Sequence, residues 1–146
     1  VLLPPSYVTK LWEWLRPAIE ASMPPLADRQ ADDAMGNVLE RLLKGEFQCW
    51  IGIERVQGPV PVVYGLVVTG VFEEFGTRTK SLWIWALYGH RGVPAGLAAA
   101  GIDRLRAYAR EHGYKWIAAV TSVGRVIEIV QQLGGDVSHS LIRIEV

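Results

Sequence analysis

A chain of 146 residues in which half the side chains are apolar and six are tryptophan has material for one domain with a proper core, which excludes an intrinsically disordered chain. Fifteen basic and fifteen acidic side chains cancel to a formal charge of zero, so nucleic acid or an anionic membrane is not expected as the main partner. Cys49 is the only cysteine, which excludes a disulfide framework and a cysteine metal site and makes a reducing cytoplasm the simplest setting.

No apolar run reaches the roughly 18 residues of a membrane span, and the opening VLLPPSYV lacks the regions of a signal peptide. The chain reads as one domain over 1–146, with no internal repeat, low-complexity tract or linker. Residues 1–3 suit a short edge strand that Pro4 and Pro5 stop. From Ser6 a helical stripe of Leu11, Leu15, Ala18 and Ser22 follows; Pro17 is expected to kink it or open a second turn, and Met23-Pro24-Pro25 ends it. A second helix is expected from about Asp28 to Lys44, with Met35, Val38, Leu39 and Leu42 at helical spacing and Gly45 in the C-terminal capping place.

The period then drops to two. Phe47, Cys49, Ile51 and Ile53 share one face of a strand, and Gln57-Gly58-Pro59 turns the chain. The next strands, about Val60 to Phe72 and Leu82 to Tyr88, are apolar on both faces and so belong in the middle of a sheet, joined by a polar hairpin loop over 73–80. After HRGVPAG a long helix carries Ala98, Ile102, Leu105, Ala109 and His112 on one stripe, and Gly113 ends it before the strand KWIAAV. Two strands separated by such a helix call for a right-handed crossover with the strands parallel. Ser122 is placed to cap a last helix with a buried stripe of Val126, Ile129, Val130 and Leu133, closed by Gly134 and Gly135. A final strand is expected where Ile142, Ile144 and Val146 alternate with Arg143 and Glu145. The order implies a mixed sheet with helices on both faces, in the α/β (α+β) class.

The loop from Gly89 to Gly96 then lies at a helix N-terminus beside the ends of the strands. Unpaired amides and the positive end of the helix dipole gather there, which suits a phosphate-bearing ligand.

This element order, together with RGVPAG opening the helix after the fourth strand, resembles the GNAT superfamily of acyl-CoA-dependent N-acetyltransferases, and most of all its short, divergent phage and prophage members. The resemblance covers essentially the whole chain and implies a sheet of about six to seven strands. In the family, Arg or Gln, two residues, Gly, one residue, and Gly or Ala place backbone amides around the CoA pyrophosphate. Arg91 fits the first position and Gly96 the last, while Pro94 stands where the middle glycine is expected. Proline has no N–H, and a hydrogen bond to a charged group contributes about 1.5–3 kcal/mol, roughly ten to over a hundred-fold in affinity. Gly92, Val93, Ala95, Gly96 and Leu97 still carry amides, and proline suits a first helical turn. The resemblance assigns the pantetheine arm to the main chain of Leu87 and Tyr88, where the parallel strands splay.

The family's proton-handling residues are missing. The Asn after the fifth strand and the Tyr of the last helix correspond to Val123 and Val130, and Leu82 to Tyr88 holds no carboxylate to act as base. Tyr88 is the candidate acid, with plain packing as the competing reading.

Other suspicious residues have bland explanations beside the functional ones. His90 fits a phosphate contact or a solvated loop; His112 fits packing or the helix C-terminus; His139 has no ligand-spaced Cys or carboxylate, so no metal site is expected. Glu73 and Glu74 fit a paired carboxylate or a solvated hairpin tip. Trp83 and Trp85 on one strand, and Trp12 and Trp14 in the first helix, fit an acceptor pocket, an interface or the core. Arg104, Arg106 and Arg110 fit the 3′-phosphate end of CoA or a solvated helix face.

Two readings follow. In the first, the chain binds acetyl-CoA or a related acyl-CoA and transfers the acyl group to an amine by direct attack. In the second, it is a catalytically inactive interaction or structural module of the same fold, and a homodimer is one form it could take. Another small phosphate ligand at the same helix N-terminus is a third.

Overall fold

The computed structural model describes residues 1–54, 61–90 and 92–145. The expected Gln57-Gly58-Pro59 turn, Val60, Arg91 and Val146 lie outside these residues. In chain order the elements are β1 (Leu2–Leu3), α1 (Pro5–Ala21), α2 (Ala34–Lys44), β2 (Phe47–Glu54), β3 (Val62–Glu73), β4 (Lys80–Gly89), α3 (Ala95–Glu111), β5 (Trp116–Ala119) and α4 (Gly124–Gln132). The strands lie side by side in sequence order; β1 to β4 are antiparallel, and β4 and β5, joined through α3, are parallel.

Pro5 occupies the first position of α1, where its missing N–H is no loss, and the amides of Tyr7 and Val8 turn back to the Pro4 carbonyl. The helix runs on through Pro17 to Ala21, so no separate helix opens there. Burial of Val8, Leu15, Ala18 and Ile19 on its inner face outweighs the one backbone hydrogen bond that Pro17 cannot donate. The second helix begins at Ala34 instead of Asp28. The Asp28 carboxylate accepts the Gln30 amide at 2.9 Å, closing a turn of its own, and Asp33 sits in the left-handed region at φ 51°, which helix cannot continue through. Gly45, at φ 76°, closes α2 as expected.

Side chains pack on both faces of the sheet. Leu15, Ile19, Met35, Val38 and Leu42 of α1 and α2 cover Cys49, Leu66, Val68 and Ala86, while Leu105 and Ala109 of α3 cover Trp50 and Leu82 on the other side. Each fully buried leucine contributes roughly 1.5–3 kcal/mol. A short polar chain crosses this core: the Trp50 indole N–H donates to Thr69 Oγ1 at 2.9 Å, and that hydroxyl donates to Gln48 Oε1 at 3.1 Å. Of the expected α3 stripe, Leu105 and Ala109 are buried, Ile102 is half-buried, and Ala98 and His112 are exposed.

Among the described residues the sheet has five strands, fewer than the six to seven expected. The shortfall is at the C-terminus, where residues 136–145 form no strand. Alternation selects a face, but a strand also needs an edge to pair with. Here the Arg143 guanidinium donates to the Pro25 carbonyl at 3.2 Å, so the segment is tied to the α1–α2 connection and not to β5. Helix α4 also departs from expectation. Its N-cap is Val123, not Ser122, with no side-chain cap, and none of its residues is buried.

Candidate functional site

The crossover positions the site. Strand β4 pairs with β5 only from Ser81 to Ile84, against Trp116 to Ala119; from Trp85 to Gly89 it goes on without β5 beside it. A register slip against β3 begins the divergence: Val68 faces Ala86 and Thr69 faces Ile84, so Trp85 is the extra, bulged residue. A bulge bends and twists its strand, which turns the end of β4 away from its parallel neighbour.

Backbone direction along the end of β4 follows from two contacts. The His90 amide donates to the Tyr64 carbonyl at 2.8 Å, and a Cβ placed on Gly65 would run into the Tyr88 carbonyl oxygen, so both groups face β3. Main-chain groups alternate sides along a strand. The N–H and C=O of Leu87 and Gly89 therefore face the gap left by β5, whereas the carbonyl of Tyr88 does not. The sequence places Gly89 at the start of the loop without marking its main chain as facing the gap; its direct pairing with Gly65, glycine opposite glycine, is the signal of a close backbone approach. The Leu87 side chain is 51% exposed, while Tyr88 is half-buried against the α1/α2 core with its ring stacked 6.5 Å from His90.

Beyond Gly89, Gly92 and Val93 are exposed and α3 begins at Ala95. Pro94 is the N-cap rather than part of the first turn, at φ −56° and ψ 139°. The first intrahelical bond is Ala98 N–H to the Pro94 carbonyl at 3.0 Å, which leaves the amides of Ala95, Gly96 and Leu97 ahead of it. No side chain caps them and no acidic residue lies in the first turn. A Cβ at Gly92 or Gly96 would meet nothing within 4 Å, so the approach is open. Leu97 packs over Gly52 of β2 and anchors the start of the helix to the sheet.

The same strand ends carry a carboxylate and a phenol. The Tyr64 hydroxyl donates to Glu54 Oε2 at 3.0 Å, and Tyr64 is the residue whose carbonyl holds His90. Glu54 escaped sequence reasoning because it closes a strand remote in sequence from the loop. Val123 is exposed at the start of α4 and Val130 half-buried within it, and neither has a proton to give.

The remaining candidates lie elsewhere. His112 Nδ1 donates to the Tyr108 carbonyl at 2.8 Å at the end of α3, and its ring lies tilted against Tyr108 with centroids 4.0 Å apart. His139 pairs with Asp136 at 3.0 Å in the C-terminal segment. Among the described residues no three His, Cys, Asp or Glu side chains are grouped to hold a metal. Glu73 lies 4.0 Å from Lys80, and Glu74 takes the Thr77 amide and hydroxyl, both at 2.7 Å, which hold its carboxyl below the usual range. Trp85 packs 5.5 Å from Phe47, Trp83 5.4 Å from Phe72, Trp12 lies against the core and Trp14 is exposed. Arg104, Arg106 and Arg110 are exposed on α3, with Arg106 paired to Asp103 at 3.2 Å. Burial pushes the Cys49 thiol up to about 12, so it is no nucleophile. An open cleft of about 550 Å³ lined by Arg41, Phe47, Gln48, Tyr108, His112 and Tyr114 lies at the opposite end of the sheet from the loop.

No family model matches the chain, and no curated protein matches it. Solved structures do match, over its whole length. A ribosomal-protein-alanine N-acetyltransferase from Brucella melitensis biovar Abortus 2308 superposes with a TM-score of 0.64 at 20% identity, covering 100% of this chain and 98% of that one. A predicted acetyltransferase from Clostridium acetobutylicum, solved with acetyl-CoA, gives 0.68 at 14% identity over 99% and 94% of the two chains. An aminoglycoside acetyltransferase from an uncultured soil metagenomic sample, in complex with sisomicin, gives 0.66 at 12% identity over 100% and 93%. The fold is that of the GNAT acetyltransferases. The GNAT likeness is broad and singles out no phage branch. Among the described residues no helix is long and apolar enough to cross a membrane.

Proposed function

We propose that the chain binds acetyl-CoA, or a related acyl-CoA, between the end of β4 and the start of α4, and passes the acyl group to an amine. The observation that carries this reading is the divergence of β4 from β5 beside an uncapped helix N-terminus. In it, the amides of Gly92, Val93, Ala95, Gly96 and Leu97 take the pyrophosphate, and the main chain of Leu87 and Gly89 pairs with the pantetheine arm. Arg91, which lies outside the described residues, adds a positive charge to the loop.

Transfer is direct. The amine nitrogen attacks the thioester carbonyl carbon, the carbonyl oxygen gathers negative charge beside the amides of β4, the C–S bond breaks, and the thiolate leaves with CoA. The nitrogen gives up a proton and the thiolate gains one. The Tyr88 hydroxyl is the proposed donor to sulfur, and the solvent-open cleft lets water take the proton from nitrogen. Holding the two reactants together supplies a large share of the rate without either group.

Acetyl-CoA at about a hundred times its Kd raises stability by roughly 2.7 kcal/mol, which lifts Tm by about 5–10 °C in a domain of this size. Absence of any shift at millimolar acetyl-CoA in scanning calorimetry refutes the reading. Val123 and Val130 favour a second one, a module that keeps the fold without turnover. It predicts no thiol release from acetyl-CoA with any amine, whether or not the ligand stabilises the protein.

A further inference from the structure

Helices α2 and α3 end in the same way, and both ends reach the open cleft of about 550 Å³ at the end of the sheet away from the loop. Gly45 and Gly113, at φ 76° and 72°, each stop a helix in the left-handed region. The next residue folds back: the Glu46 amide donates to the Arg41 carbonyl at 2.9 Å, and the Tyr114 amide to the Ala109 carbonyl at 2.8 Å. Both helices therefore turn the negative end of their dipoles toward the cleft, which favours a positive guest.

The turn after α3 also gathers three rings. Tyr108 stands edge-on to Trp50 of the core with centroids 5.1 Å apart, His112 lies tilted against it at 4.0 Å, and Tyr114 stacks on His112 at 5.7 Å. Ring faces attract cations. One cation already uses the cleft in this way: the Arg41 guanidinium lies 5.7 Å over the Phe47 ring and pairs with Glu46 at 2.7 Å. Glu46 is thereby engaged, so the cleft offers a guest ring faces and helix ends in place of a free carboxylate.

We propose that this cleft is a binding site for a small quaternary ammonium compound, seated against Tyr108, His112 and Tyr114. The chemistry selects that class. A methylated ammonium has no N–H to satisfy and needs no carboxylate, whereas a compact primary ammonium gives up a strong hydration shell and calls for one. An anion would meet two negative helix ends and an arginine already held by Glu46. The site is separate from the one proposed for acyl-CoA: Phe47 stands opposite Gly70 and Gly89 opposite Gly65, roughly 17 Å away along β3.

The test is a titration of the isotope-labelled whole chain with choline, followed by the NMR shifts of its backbone amides. Choline is expected to move the amides of His112 and Tyr114 with a Kd of about 1–10 mM and to leave those of Gly92 and Gly96 in place. Its uncharged carbon analogue, with a tert-butyl group in place of the trimethylammonium, should bind roughly threefold or more weakly. Tyr114→Leu should weaken choline binding by roughly three- to tenfold, and Tyr114→Phe should keep it, because the ring face and not the hydroxyl holds the guest. Unshifted amides away from the cleft show that each variant is folded; if Tyr114→Leu unfolds, choline against its uncharged analogue on the wild type decides. No shift up to about 50 mM choline, equal binding of the two probes, or undiminished binding by a folded Tyr114→Leu overturns the proposal. So do shifts confined to Gly92 and Gly96, which would place the cation at the loop.

Discussion

Replacing Pro94 by glycine adds one N–H at the N-cap of α3. The backbone there, at φ −56° and ψ 139°, suits either residue, so the helix start keeps its geometry. The added amide joins those of Ala95, Gly96 and Leu97 at the positive end of the helix. A hydrogen bond to a phosphate contributes about 1.5–3 kcal/mol, and ordering a freer loop takes back up to about 1 kcal/mol. Acetyl-CoA should therefore bind roughly three- to a hundred-fold more tightly, while the unliganded protein loses about 0.4–1 kcal/mol, a fall of about 1–4 °C in Tm. Calorimetric titration of wild type, Pro94→Gly and Pro94→Ala reads the affinity, and scanning calorimetry reads the stability. Alanine provides the same N–H with less freedom, so it should match the gain in affinity. If neither variant binds more tightly while its circular dichroism is unchanged, the N-cap amide does not face the ligand and this loop is no pyrophosphate cradle.

Gly65→Ala tests the close approach at the end of β4. The new methyl collides with the Tyr88 carbonyl oxygen and lies 3.4 Å from Gly89 Cα, and because both are backbone the strands must part. A loss of about 1–3 kcal/mol in urea unfolding is expected, along with weaker acetyl-CoA binding. Gly101→Ala on α3, where a Cβ meets nothing within 4 Å, should instead gain up to about 1 kcal/mol; equal stability for the two variants would show that the strand ends are looser than described. Cys49 should resist thiol reagents at pH 8 until the protein unfolds. Its folded pKa, about 12, lies above the ordinary value of 9.0, so the stability it contributes is fully present below pH 9 and is lost as pH rises toward 12. Cys49→Ala should flatten that alkaline slope, and rapid labelling of the native protein would contradict the burial of the thiol.

Much of the fold was legible because hydrophobic period and chain punctuation act locally. The alternation of Phe47, Cys49 and Ile51, the doubly apolar runs of β3 and β4, the left-handed Gly45 and the β4–α3–β5 crossover need only neighbours a few residues away, and each stands where the pattern put it. The start of α3 was legible for the same reason, because Gly92, Pro94 and Gly96 announce a helix start. Where local rules met a competing contact, they failed. Helix α2 starts late because the Asp28 carboxylate closes a turn that its polarity alone does not reveal. The C-terminal segment has the pattern of a strand but, among the described residues, no ladder.

What the sequence determined by itself is the order of the elements from β1 to α4 and the parallel pairing of β4 with β5 across α3, since these follow from side-chain periodicity and chain geometry. Tertiary structure alone decided which backbone groups face the cleft. That depends on a single bulged residue, Trp85, and on the register of β4 against β3, which turn Leu87 and Gly89 toward the gap and Tyr88 away from it. Register is a contest between whole strands, so no one strand's residues reveal it in advance.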